Sequence, residues 1–101
     1  MKIEITEAQN EVRVLLEGRL DTAAAVEVAA DFKSLSEKAD KAIVLDCSQL
    51  EYISSSGLRL FIGLRKDSAA KGGKVIVERM NDDIRNVFTM TGFLSLFEIR
   101  D

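Results

Sequence analysis

The stretch Ala42-Ile43-Val44-Leu45-Asp46-Cys47-Ser48-Gln49-Leu50-Glu51-Tyr52-Ile53-Ser54-Ser55-Ser56-Gly57-Leu58-Arg59 decides the fold. Its first four residues form an unbroken apolar run rich in β-branched side chains, the pattern of a strand covered on both faces within a parallel sheet. Its last six open differently. Three short hydroxyl side chains stand where they can accept hydrogen bonds from the first unpaired N–H groups of a helix. A buried strand leading into a helix start belongs to an α/β fold, and the crevice beyond the carboxyl end of such a strand is where ligands and partners dock.

Toward the C-terminus, a helix beginning within Ser54-Ser55-Ser56 is expected to run to Gly72-Gly73, a pair suited to the left-handed conformation that ends helices. Lys74-Val75-Ile76-Val77-Glu78 then reads as a strand. Asn81-Asp82-Asp83 supplies a cap and two acids where the helix dipole favours negative charge; Ile84, Val87, Phe88 and Thr91 follow at helical spacing, and Gly92 is the stop. Phe97-Glu98-Ile99 is a candidate short last strand. Toward the N-terminus, alternation in Lys2-Ile3-Glu4-Ile5-Thr6 and again in Val12-Arg13-Val14-Leu15-Leu16-Glu17 reads as an antiparallel hairpin, with Gly18 ending its second strand. Asp21 or Thr22 caps the helix that follows. Ala25, Val28, Phe32, Leu35 and Ala39 form its apolar stripe over about five turns. The expected fold is α/β, one domain over residues 1–101 with a mixed central β-sheet in the order β-β-α-β-α-β-α and a short last strand.

Composition narrows the chemistry. The 101 residues are 47% hydrophobic and 31% charged with no Pro, which is the profile of a globular domain. No apolar run approaches ~18 residues and Met1-Lys2-Ile3-Glu4 lacks an apolar leader, so direct membrane insertion is not expected and a cytoplasmic location is. There is no His and a single Cys, which removes the usual general base and the usual metal ligands; no cofactor, metal or catalytic role is expected. Fourteen Lys and Arg against seventeen Asp and Glu leave a net charge of -3 without a basic stripe, so nucleic acid is not an expected partner. Cys47 reads as a small buried hydrophobe, Lys71-Gly72-Gly73-Lys74 as a helix end and not a phosphate loop, Asp21 and Asp46 as capping or loop groups, and Met80 and Met90 as core or helix-edge filler.

Taken alone, three serines at a helix start are caps and a turn. In order and spacing, however, Tyr52-Ile53-Ser54-Ser55-Ser56-Gly57-Leu58 resembles the phosphorylation-loop motif of bacterial anti-sigma factor antagonists, the STAS domain family. Gly18-Arg19-Leu20-Asp21 is similar to the family's segment before the first helix, Ile43-Val44-Leu45-Asp46 to its central strand, Gly72-Gly73 to the break before the next strand, and Phe88-Thr89-Met90-Thr91-Gly92-Phe93 to its C-terminal signature. The resemblance spans essentially the whole chain.

It implies a switch protein without catalysis of its own. In the family the unphosphorylated antagonist sequesters an anti-sigma factor, often itself a serine kinase, and so frees a sigma factor; phosphorylation of the motif serine blocks that binding and a PP2C-type phosphatase restores it. The acceptor maps to Ser55, with Ser54 and Ser56 as neighbouring hydroxyls; Ser54 stands where many members carry Asp. A second implied role is a STAS-like cytoplasmic subunit of a lipid-transport ABC complex. Along the helix, Leu58, Phe61 and Ile62 are expected to face the core, while Arg59, Gly63, Lys66 and Ala70 repeat on another face. That face, with Ser54, Ser55, Ser56 and Gly57, is either the partner-binding surface or a set of small residues that permits close packing. Arg59 either adds a charged contact to a phosphate on Ser55 or stands as a solvated helix residue.

Overall fold

A computed structural model describes residues 1–101. The N-terminal alternation folds as β1 (Lys2–Glu7) antiparallel to β2 (Glu11–Leu20), with Ile3 opposite Leu16 and Ile5 opposite Val14. Then come α1 (Thr22–Glu37), β3 (Ala42–Ile53), α2 (Ser55–Ala70), β4 (Lys74–Glu78), α3 (Asp82–Thr91), a 3-10 turn (Phe93–Leu96) and β5 (Glu98–Arg100). The strands lie in the order β1-β2-β3-β4-β5, and β2 through β5 are mutually parallel. This is the mixed α/β sheet expected from the sequence, short last strand included.

Caps place the helices. The Asp21 carboxylate accepts from Ala24 N at 2.9 Å, which makes Asp21 and not Thr22 the cap of α1. At 16 residues α1 makes about four and a half turns, and Ala39, expected on its stripe, lies beyond its end but is still buried. Asn81 accepts from Ile84 N and donates to Leu50 O, both at 2.9 Å, so one side chain starts α3 and ties it to β3. Gly92, with φ +77°, ends α3.

The helices cover one face of the sheet. Phe61 of α2 lies 5.8 Å from Phe32 of α1, 5.9 Å from Phe88 of α3 and 6.4 Å from Phe97, ring centre to ring centre, which joins all three helices to the chain entering β5. The other face is built differently from the expectation for β3. Val44 and Ile76 are 0% and 1% exposed, yet they lie outside the core cluster that the helices cover. Cross-strand pairing sets Arg13, Val44, Ile76 and Glu98 in one row and Asp46 beside Glu78 in the next. Ion pairs Arg13–Glu78 and Lys74–Glu98 close over this face, so alkyl stems and not a second helix layer shield it. The Glu78 hydrogen bond raises the Arg13 pKa above its usual value.

Two further expectations are corrected. Gly18 does not end β2; the strand runs on to Leu20, with Gly18 at φ +104° and irregular pairing on both sides of it. Asp46–Ile53 prolongs the strand read in Ala42–Leu45. It continues β3 as a ribbon paired with β2 alone, Gly18 opposite Leu50 and Leu20 opposite Ile53, because the irregular pairing turns Leu50 and Ile53 inward at a spacing of three instead of two. Met90, expected as filler, is 86% exposed; Met80 packs against the core. No helix is long and apolar enough to cross a membrane.

Cys47 is fully buried in β3, and burial, with the charge of Asp46 second, pushes its thiol from 9.0 up to about 12. The unfolded chain ionises this thiol near its ordinary value while the folded chain keeps it protonated, so its contribution to stability is complete below about pH 9 and is lost as pH rises toward 12. Urea midpoints measured between about pH 8 and pH 10.5 are expected to fall more steeply for the native chain than for Cys47→Ala. Equal slopes would contradict the burial.

Candidate functional site

Leu20 and Ile53 end the β2–β3 ribbon side by side, and α1 and α2 both start from that end. Ser54 N donates to Leu20 O at 2.9 Å, and the Ser54 hydroxyl accepts from Gly57 N at 3.2 Å. Ser54 is therefore the buried cap of α2. Ser55 is the first helical residue and its side chain is exposed, while Ser56 is half-buried. The three hydroxyls thus stand in three different environments, and Ser55 is the one open to an incoming group.

Gly57 is buried beneath them. A Cβ at this position would lie 2.7 Å from Leu20 Cγ and 3.0 Å from Ile53 Cγ1, so the glycine lets the first turn of α2 sit directly on the ribbon's end. The buried stripe of α2 continues through Leu58, Phe61, Leu64 and Ser68. Ile62, expected to face the core, packs against it but is half-buried, at the border with the neighbouring face.

On that face Ser55, Arg59, Gly63 and Lys66 line one groove of about 440 Å³. Leu58 and Ile62 form apolar parts of its wall, and Thr91 and Phe93 close its far side. The structure therefore gathers four of the expected site residues and leaves Ser54, Ser56 and Gly57 as its support; Ala70 is exposed and outside it. Thr91 and Phe93 were not identified as site residues from the sequence. They lie in the segment Phe88–Phe93, but only the tertiary packing of α3 beside α2 brings them to Ser55. Outside the groove, the Arg19 guanidinium lies 4.5 Å from the centre of the Tyr52 ring, one residue before Leu20 on the ribbon that leads into the serines. The structure contains no group of three or more His, Cys, Asp or Glu side chains placed to hold a metal ion.

Nothing lies within 4 Å of a Cβ built at Gly63, although the residue is in mid-helix. Gly63→Ala is expected to stabilise the domain by about 1 kcal/mol, raising Tm by roughly 4–8 °C, while placing a methyl group in the groove. A higher Tm together with weaker partner binding would mark the groove as a docking surface. Unchanged binding would show that no partner enters at Gly63.

The fold and this site together define a small α/β domain with an exposed serine at the start of α2, on the rim of a groove. Residues 2–101 match the STAS domain, and the chain belongs to that family. It is 29% identical to BtrV of Bordetella bronchiseptica, covering 98% of this chain and 85% of that protein. It is 25% identical to the anti-sigma-B factor antagonist of Bacillus subtilis, covering 98% and 90%. Among solved structures, the anti-sigma factor antagonist SpoIIAA in its unphosphorylated form superposes with a TM-score of 0.76 at 20% identity, covering 99% of this chain and 88% of that one. The Bacillus SpoIIAA in its phosphorylated form superposes with 0.75 at 21%, covering 97% and 90%. The two forms fit this fold equally well.

Proposed function

We propose that the protein is an anti-sigma factor antagonist of the bacterial cytoplasm, a binding module without catalysis of its own that holds an anti-sigma factor and thereby frees a sigma factor. The partner doubles as a serine kinase that phosphorylates Ser55, and a PP2C-type phosphatase reverses the modification. One observation carries this: the Ser55 hydroxyl is exposed at the rim of the α2 groove, while Ser54 beside it is buried and committed to capping. A phosphate on Ser55 adds about -1.5 to -2 charge at a helix N-terminus, where unpaired N–H groups and the dipole tolerate it. The surface changes and the fold does not.

The test is incubation of the purified chain with its anti-sigma kinase and ATP, followed by intact mass and fragmentation. The mass is expected to rise by a single phosphate located on Ser55, to return after PP2C-type phosphatase treatment, and to stay unchanged in Ser55→Ala. Modification on Ser56 would move the acceptor; tight binding of the kinase by the fully phosphorylated chain would overturn the switch.

A further inference from the structure

Nearly every basic side chain of this protein is engaged internally. Arg13 and Arg79 pair with Glu78, Lys38 and Lys41 with Glu7, Lys74 and Arg100 with Glu98, Arg85 with Asp101, and Lys2 with Glu4. Arg65 and Lys71 donate to the carbonyls of Leu96 and Ser36, and Arg19 lies over Tyr52. Lys33, Arg59 and Lys66 alone make none of these contacts. Their freedom is not a shortage of acids, since the chain carries seventeen acidic residues against fourteen basic ones. It is local. Arg59 and Lys66 line the Ser55 groove, where no acidic residue stands, while Arg59 and Lys33 line the cleft between α2 and α1, which Asp67 also lines without pairing with either.

The same groove is apolar between its cations, with Leu58, Ile62 and Phe93 in its walls. Arg59 and Lys66 are seven residues apart on one helix, two turns or about 10 Å along its axis. An occupant that matches both features is itself helical: two carboxylates seven residues apart meet the cations, and apolar side chains three and four residues between them enter the groove. We infer that the α2 groove receives an acidic amphipathic helix of a partner protein, with Arg59 and Lys66 reading its carboxylates. Ser55 lines the groove with those cations, so a phosphate there supplies the negative charge that the helix would otherwise bring and competes with it. This last step rests on the antagonist function; the groove's preference for an acidic helix does not.

The probe is a synthetic amphipathic helical peptide with leucines on one face and two glutamates seven residues apart, titrated into the ¹⁵N-labelled chain. Amide shifts are expected at Ser55 through Lys66 and at Thr91 through Phe93, weakening as salt rises. The same peptide with lysines for the glutamates is expected to bind roughly ten-fold more weakly or worse, and Arg59→Glu with Lys66→Glu is expected to reverse the preference. Equal binding of both peptides, or shifts confined to other surfaces, would overturn the inference. So would groove shifts that appear on concentrating the chain alone, which would assign the groove to a second copy, or groove shifts with phosphatidylglycerol vesicles but not with the peptide, which would assign it to a lipid surface. A chain carrying genetically encoded phosphoserine at position 55 is expected to bind the acidic peptide roughly ten-fold more weakly. If it binds equally well, the groove assignment stands and the switch at Ser55 fails. If phosphorylation blocks kinase binding but the acidic peptide shifts no groove amide, the switch stands and the helix assignment fails.

Discussion

Gly73→Ala is expected to unfold the domain at a far lower temperature than any other single methyl addition at a glycine. A Cβ at Gly73 would stand 2.0 Å from the Ala39 carbonyl oxygen and 2.9 Å from that of Lys41. Both obstacles are backbone, and both belong to the turn that delivers the chain into β3. The next residue, Lys74, already pairs with Ala42, so relieving the clash means separating β3 from β4 where their ladder begins. Overpacking in a yielding site costs typically ~1–3 kcal/mol, and a contact against fixed backbone belongs at or above the upper end. For a domain of this size that lowers Tm by roughly 12 °C or more. Two controls frame the number. Gly72→Ala meets open space but must hold φ at +77°, a cost of about 1–2 kcal/mol. Gly57→Val crowds Leu20 and Ile53, whose side chains are buried and cannot swing aside. The obstruction at Gly57 is thus side chain and not backbone, and the loss should fall between the other two. Thermal melts of the three variants give the order directly; a Gly73→Ala melt no lower than that of Gly72→Ala would mean that β4 is not seated against the Ala39–Lys41 turn.

What the sequence discloses about this fold depends on whether the deciding interaction is local. Asn81 and Gly92, and the α1 cap to within Asp21 or Thr22, were legible because a cap or a left-handed stop involves atoms within a few residues of the side chain that announces it. The apolar run Ala42–Leu45 gave the central strand, since a short unbroken run of β-branched residues has few other uses. The remainder of β3 was not legible. Leu50 and Ile53 face inward at a spacing that neither a helix nor a regular strand produces, because the pairing with β2 is irregular around Gly18, and an irregularity belongs to two strands at once. The same holds at the site. Arg59, Gly63 and Lys66 share a helix face and could be read together; Thr91 and Phe93 join them only through packing between helices some thirty residues apart. Ile62 packs against the core as its place beside the apolar stripe suggests, but the groove that holds its outer edge has no signature within α2 itself.

The largest functional effect is expected at Ser55, and it separates from Ser54 by mechanism. Phosphoserine at 55 should weaken binding of the anti-sigma factor by about two to three orders of magnitude, because the phosphate takes Arg59 and Lys66 from the partner's carboxylates and must itself be desolvated in the docked surface, several kcal/mol in all, and each 1.4 kcal/mol is ten-fold. Ser55→Ala should bind as well as the native chain, since its hydroxyl makes no hydrogen bond within the protein, yet it should never lose binding on treatment with the kinase. Ser55→Asp should weaken binding only partly, because one carboxylate carries half the charge of the phosphate and fewer acceptor oxygens. Ser54→Ala behaves in the opposite way: loss of the bond to Gly57 N should lower stability by ~1 kcal/mol, while Ser55 in that variant still accepts phosphate. Calorimetric titration against the anti-sigma factor gives the affinities, and circular dichroism gives the control. The far-ultraviolet spectrum should not change on phosphorylation, because a phosphate on the first residue of α2 meets unpaired N–H groups and the favourable end of the helix dipole. Weakened binding with an unchanged spectrum locates the effect at the surface of α2. Weakened binding with loss of helix would instead mean that the phosphate melts the first turn, and then the Ser54 cap, not the groove, would be the element that the modification controls.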